Sequence, residues 1–309
     1  MKISSYFLTI DKNSNFIDKN DTNKTLLAEQ YSLAKYGSFK DIKYFAKNIA
    51  KTVISEIIKP NSELRNIFEV AKANNEYVVL MTPGFRNVKA SANIMFEIAL
   101  PLINIQLSLL KLPVIANVKL PRLASPSENY ASLSEEERKA MGEITDHILP
   151  DTNFYQAKGV HILYGDDILI TGSSSDKARN DALSKGAKSF TSIYAIIMDK
   201  NISKNNPAIE EKLNRSAIIG ILDNRAKEIF TQKDFIPVLR SLRLLLNKDN
   251  LSNLEDFINF IPINNILKIY IAYLNNESLE NHKYKSSIEI ITNYLIVNKQ
   301  IHRDGNLLI

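Results

Sequence analysis

Up to about residue 199 the chain alternates two patterns: short continuous apolar runs, and longer segments with apolar residues three and four apart. Beyond that point only the second pattern persists. The run KISSYFLTI (Lys2–Ile10), a polar DKNSN and a brief FID predict a strand, a turn and a short partner strand. Ile42, Phe45, Ile49, Val53 and Ile57 then recur at helical spacing, until Pro60 and Asn61 break the pattern. EYVVLMTPG (Glu76–Gly84) is apolar throughout its centre and closes on Pro83-Gly84, as a buried strand does. ASANIMFEIALPLINIQL predicts an apolar helix bent near Pro101, and LPVIANVKLPRL (Leu112–Leu123) another strand. Ser125 to His147 is polar, with Ser134 and Glu137 spaced as the capping box of a short helix. A further apolar run begins at Val160. A helix follows near Asp176–Lys185, stopped by Gly186, and then a strand over Thr191–Met198.

Strands that are apolar on both faces and alternate with helices predict an α/β fold, an open and mostly parallel sheet flanked by helices. KNISKNNPAIEE (Lys200–Glu211), with Pro207, reads as a linker. Past it, AIIGILDNRAKEIF, DFIPVLRSLRLLL, LEDFINFI and INNILKIYIAYL predict an all-helical C-terminal domain without a fixed repeat. The expected division is an N-terminal hairpin segment over 1–24, an α/β domain over 25–200 and a helical domain over 201–309.

Charge and composition narrow the chemistry. Lys and Arg number 39 against 34 Asp and Glu, a net charge of +5, which suits a phosphate-rich ligand. The basic residues are spread without a block, so the pattern does not point to nucleic acid. The chain has no cysteine, which excludes disulfides and thiolate metal sites. No stretch reads as the roughly 20 apolar residues of a membrane span, and the first ten residues lack the layout of a signal peptide. A cytoplasmic protein with no membrane partner is expected. His147, His161, His282 and His302 are scattered, and His161, inside an apolar strand, reads as a satisfied core residue.

The segment that carries chemistry is ILYGDDILITGSSS. Two aspartates close an apolar strand, and a glycine among small hydroxyls opens a helix. Adjacent acids at a strand end are by themselves more often a turn than a site. In an open α/β sheet, however, ligands bind beyond the carboxyl ends of the strands. Gly172 permits close backbone approach, the N–H groups of the helix start point at an anion, and the hydroxyls of Thr171, Ser173, Ser174 and Ser175 add donors. Carboxylates repel phosphate, so Asp166 and Asp167 make sense beside such a cradle if they hold sugar hydroxyls or a hard divalent cation.

Asp166, Asp167, Ile168, Leu169, Ile170, Thr171, Gly172, Ser173 and Ser174 match, position by position, the signature of the type I phosphoribosyltransferases, which the segment therefore resembles. Gly165 departs from it, an apolar residue being commoner there. The order of elements extends the resemblance over about 27–199. It implies that Asp166 and Asp167 bind the 2- and 3-hydroxyls of phosphoribosyl diphosphate and so help hold Mg²⁺. Thr171, Gly172, Ser173 and Ser174, with Ser175 assisting, would bind its 5-phosphate. By position alone, TPGFRNVKAS would be the diphosphate loop, with Gly84, Arg86 and Lys89. NVKLPRLASPSENYASLSEEERKAMGE would be a catalytic hood carrying Lys119, Arg122 and Arg138, with Tyr130. A solvated loop with ordinary basic residues is the plain alternative for both. Lys35-Tyr36-Gly37 has a family flavour, although Tyr36 reads better as core and Gly37 as a turn.

The implied reaction transfers 5-phosphoribosyl to a nitrogenous base or amine and releases diphosphate. Relatives that salvage 6-oxopurines place an aspartate immediately before Thr-Gly; Ile170 stands there, which argues against a 6-oxopurine acceptor. The other reading is a regulatory protein that binds phosphoribosyl diphosphate or a nucleotide without catalysis and uses the helical domain as output. That domain could equally make a homodimer or recruit a partner.

Overall fold

The computed structural model describes residues 1–21, 27–122, 150–206, 208–277 and 282–308. The described strands form one six-stranded sheet: β1 (Lys2–Ile10), β2 (Phe16–Asp18), β3 (Tyr77–Met81), β4 (Ile115–Val118), β5 (Val160–Leu169) and β6 (Ser189–Met198), in the order β2-β1-β6-β5-β3-β4. Every neighbouring pair is parallel except the β1–β2 hairpin. Asp11 closes that hairpin by accepting the Asn13 and Asn15 N–H groups at 2.8 Å, with Ser14 at φ 63°. The mostly parallel α/β architecture expected from the apolar runs is present, with helices after the strands.

The chain separates into two compact units. The first comprises Met1–Leu27, Lys43–Arg86 and Ala92–Leu213. β1 is not a separate N-terminal segment: its parallel pairing with β6, from Lys2↔Ser192 to Leu8↔Met198, makes it an inner strand of the sheet. α2 (Phe39–Ile58) buries Ile42, Phe45, Ile49, Val53 and Ile57 completely, the five positions its periodicity selects. α3 (Glu63–Asn74) follows. Ser62 caps it by accepting the Arg65 N–H at 3.0 Å, and Asn75 ends it in the left-handed region. The expected strand over Leu112–Leu123 is only Ile115–Val118. Pro113 and Pro121 have no N–H to give a ladder, and Asn104 holds Ile115 at both its N–H and its carbonyl.

α4 (Ser91–Leu109) is long and apolar enough to cross a membrane, which corrects the expectation that no segment is. It is buried along one part only, and Ile105 and Leu109 are exposed. Met95, Phe96, Ala99 and Leu107 are buried, and Asn104 bonds to β4. On the sheet's other face, Val160, Ile162 and Tyr164 of β5 meet Phe190, Tyr155 of α5 (Thr152–Gln156) and Ala182 of α6 (Ser173–Ser184). α7 (Lys200–Asn205) and α8 (Ile209–Asn214) occupy the span expected to be a linker.

The second unit comprises Ala28–Ile42, Asn87–Ser91 and Asn214–Ile309. Its described helices after residue 214 are α9 (Asn224–Phe230), α10 (Leu239–Leu246), α11 (Leu251–Ile258), α12 (Ile263–Asn276) and α13 (Lys285–Val297), packed around Phe230, Leu245, Tyr270 and Ile291. α1 (Leu27–Lys35) belongs here for a physical reason. Ser32 Oγ donates to the Asn214 carbonyl and accepts the N–H groups of Ala217 and Ile218. Gln232 receives the Phe39 N–H and donates to Ser38 Oγ. The units therefore interleave along the chain, unlike the linear division at residues 24 and 200.

Candidate functional site

β5 outruns its neighbour. Its pairing with β3 ends at Met81↔Tyr164, while on the other side β6 accompanies it to Leu169↔Ile197. Gly165 to Leu169 thus project past the point where β3 becomes the Thr82–Ala90 loop. Asp166 and Asp167 lie in this overhang, inside the strand rather than after it, so the sheet fixes their backbone. Asp166 is half-buried and Asp167 is 4% exposed. Adjacent strand residues face opposite sides of the sheet. Asp166 shares the side of Tyr164, toward α6; Asp167 shares the side of Gly165, toward α4. Asp166 Oδ1 also accepts the Asp167 N–H at 2.8 Å.

The unusual Gly165 has a local explanation. A Cβ there would sit 2.5 Å from Phe96 Cε1 and 2.6 Å from Cζ. The Phe96 ring of α4 occupies the space that a side chain at this position would fill.

The hydroxyl loop is compact. Gly172, at φ 89°, is the N-cap of α6, so the helix starts at Ser173, earlier than the sequence pattern suggests. Ser173, Ser174 and Ser175 form its first turn, where N–H groups point out of the helix end. Ser175 Oγ donates back to the Gly172 carbonyl at 3.0 Å, and Thr171 Oγ1 lies 3.3 Å from Ser173 Oγ. The structure places Thr171 to Ser175 immediately after the acid-bearing overhang. Ile170, between them, is 7% exposed.

The third cluster follows β3 and β4. Phe85 N–H donates to the Leu120 carbonyl and Arg122 N–H to the Phe85 carbonyl, both at 3.3 Å, so the two loops run side by side. This brings Gly84, Arg86, Lys119 and Arg122 into one neighbourhood. Lys119 Nζ donates to the Arg86 carbonyl at 3.0 Å and stands 4.6 Å above the Phe85 ring. Lys89 falls in the second unit. Tyr130 and Arg138 lie outside the described residues, as does the capping box at Ser134 and Glu137. In the second unit Tyr36 is core and Gly37, at φ 95°, is a turn.

Two residues near these clusters escape the sequence pattern. Asn93, buried in the first turn of α4, donates to Thr82 Oγ1 and to the Pro83 carbonyl at 2.9 Å, which pins the loop after β3. Its signal is a lone amide in an apolar helix. Tyr194 of β6 pairs with Asp166 in register and is 1% exposed. Burial raises its phenol above the ordinary range; Ser175 and Ser192 beside it oppose the shift, and the Asp166 and Asp176 charges add to it. His161 is the satisfied core residue expected, at the other end of β5. Its ring lies between Ser189 Oγ and Glu76 Oε2, each at 2.9 Å.

Comparison with known proteins adds the following. A protein-family model described as PRTase ComF-like matches residues 14–291. No curated protein matches the chain. A solved structure of Trypanosoma cruzi hypoxanthine phosphoribosyl transferase is similar at 12% identity, over 55% of this chain and 67% of that one. Its TM-score is 0.27, too low for residue roles to be carried across.

Proposed function

Because this chain belongs to the PRTase ComF-like family, we propose that it transfers the 5-phosphoribosyl group of phosphoribosyl diphosphate to a nitrogenous acceptor and releases diphosphate. The observation that carries this reading is the continuity of two half-sites on one stretch: carboxylates in the overhang of β5, then the Thr171–Ser175 turn at the start of α6. Asp166 and Asp167 would bind the ribose 2- and 3-hydroxyls. Thr171, Gly172, Ser173, Ser174 and Ser175 would bind the 5-phosphate with N–H and hydroxyl donors. Gly84 and Arg86 are the proposed diphosphate contacts; Lys89, also expected there, belongs to the second unit. Lys119 and Arg122 are the proposed catalytic cations at the edge of the site.

The donor set suits a hard cation. Asp166 and Asp167 would supply carboxylate oxygens, and the ion's remaining ligands would come from diphosphate and sugar oxygens. Mg²⁺ held there would neutralise the departing diphosphate. The chain's own part is to orient C1 of the sugar toward the acceptor nitrogen, to balance charge in the leaving group with its cations, and to exclude water that would hydrolyse the sugar. As the C1–O bond breaks, the diphosphate keeps the bonding pair and the nitrogen forms the new bond to C1.

Ile170 offers no carboxylate to a base at the position before Thr-Gly, so we propose an acceptor other than a 6-oxopurine. The test is diphosphate release from phosphoribosyl diphosphate and Mg²⁺ across a panel of bases and amines. Release with at least one non-purine or adenine acceptor, and none with hypoxanthine or guanine, is expected. Saturable binding with no release across the panel would instead establish the regulatory reading.

A further inference from the structure

Tyr194 has no evident reason to be a tyrosine in a purely structural account. Its neighbours along β6, Ile193, Ala195 and Ile196, are apolar and buried, and a phenylalanine would fill the same space. Instead a hydroxyl is carried into a site without solvent access, where no hydrogen bond of good geometry meets it. Leaving a buried hydroxyl unsatisfied is unfavourable, so such a group calls for a specific explanation. Its surroundings supply one. The ring belongs to the residue opposite Asp166 in the β5–β6 register. Ser175 and Ser192 lie beside the hydroxyl, close enough to act on its proton. Ser175 is itself 3% exposed and holds the Gly172 carbonyl at 3.0 Å. The Asp166 and Asp176 charges, one on β5 and one in the first turn of α6, both act on the hydroxyl.

We propose that Tyr194 is a positioning residue for the phosphate turn: its hydroxyl steadies Ser175, and through Ser175 the Gly172 carbonyl, so that the turn is fixed relative to Asp166. The inference rests on the reading of Thr171–Ser175 as the 5-phosphate site and adds a residue to it. Tyr194 does not touch ligand. It acts through Ser175 Oγ, which lies beside the phenol. The two half-sites, which the strand joins through the backbone, are then also joined by side chains beneath the loop.

The test compares wild type with Tyr194→Phe, which keeps the ring and removes only the oxygen. Titrations use ribose 5-phosphate, phosphoribosyl diphosphate with Mg²⁺, and inorganic diphosphate. Expected is an affinity for ribose 5-phosphate about tenfold weaker, the worth of about one hydrogen bond. Diphosphate affinity should be unchanged and thermal stability equal or higher, since a buried polar group has been removed. In a Ser175→Ala background the Tyr194→Phe effect should vanish, because the residue it acts through is gone. Wild type that binds both sugar phosphates, alongside Tyr194→Phe that binds them equally well, overturns the inference and leaves the site assignment standing. Equal weakening toward all three ligands, or an undiminished effect in the Ser175→Ala background, also overturns it. Wild type that binds neither sugar phosphate refutes the site assignment itself, and the inference with it.

Discussion

The close approach of Phe96 to Gly165 yields a quantitative prediction about the strand that carries the acids. In Gly165→Ala the new methyl would lie 2.5–2.7 Å from three atoms of the Phe96 ring, against an ordinary contact beyond 3.4 Å. The ring or the strand must therefore yield by nearly an ångström. Phe96 is 1% exposed, so the ring has little room to retreat. Overpacking of this kind costs about 1–3 kcal/mol. The lower entropy of the unfolded alanine chain recovers about 0.5–1 kcal/mol, which leaves a net loss of up to about 2.5 kcal/mol. Phe96→Leu alone leaves a partial void and also destabilises. Together the two changes relieve each other, so the double variant should be more stable than the sum of the singles by more than about 0.5 kcal/mol. Urea unfolding of the four proteins measures this coupling. Because Asp166 and Asp167 immediately follow Gly165, the single Gly165→Ala variant should also bind phosphoribosyl diphosphate more weakly, and Phe96→Leu should restore part of the loss. Additive stabilities within about 0.3 kcal/mol would refute the claim that the glycine makes room for the ring.

Three further outcomes follow from named contacts. Gly172→Ala places a side chain at φ 89°, with its Cβ 3.2 Å from Asp176 Oδ2, at a cost of about 1–2 kcal/mol; calorimetric titration should show ribose 5-phosphate affinity falling while the circular dichroism spectrum is preserved. Glu76 is held below its ordinary range by its hydrogen bond to His161. Its contribution is therefore fully present above about pH 4.5 and is lost as pH falls through the lowered value. Glu76→Gln should flatten the wild-type decline in melting temperature below that pH; an identical slope in both proteins would rule the linkage out. Asn93→Ala removes both bonds to the loop after β3 and should cost about 1–3 kcal/mol in denaturant, with weaker binding of inorganic diphosphate.

What the chain's pattern makes legible is local. The apolar runs at Tyr77–Met81, Val160–Leu169 and Ser189–Met198 are strands, and the five buried positions of α2 follow from their spacing. α3 was not evident because its buried face is narrow, only Leu64, Phe68 and Ala71, and follows directly on the Pro60-Asn61 break; Ser62 as a cap was the available signal. The interleaved units were not legible either, because Ser32 and Gln232 find their partners nearly two hundred residues away. At the candidate site, the acids and the hydroxyl turn are adjacent in sequence and so could be read together. Asn93 and Tyr194 reach the site only through packing between elements. Lys119 and Arg86 meet because β3 and β4 are neighbouring parallel strands, an order that composition does not encode.

Asp166, Asp167 and Thr171–Ser175 are proposed to form a single binding site for phosphoribosyl diphosphate. Equilibrium binding of the labelled ligand with Mg²⁺, to wild type and to the Asp166→Asn, Asp167→Asn double variant, tests it most directly. Saturable binding to wild type and at least a tenfold loss in the double variant, whose side chains keep their shape but lose both charges, are expected. Binding that is absent from wild type, or unchanged in the double variant, would contradict it.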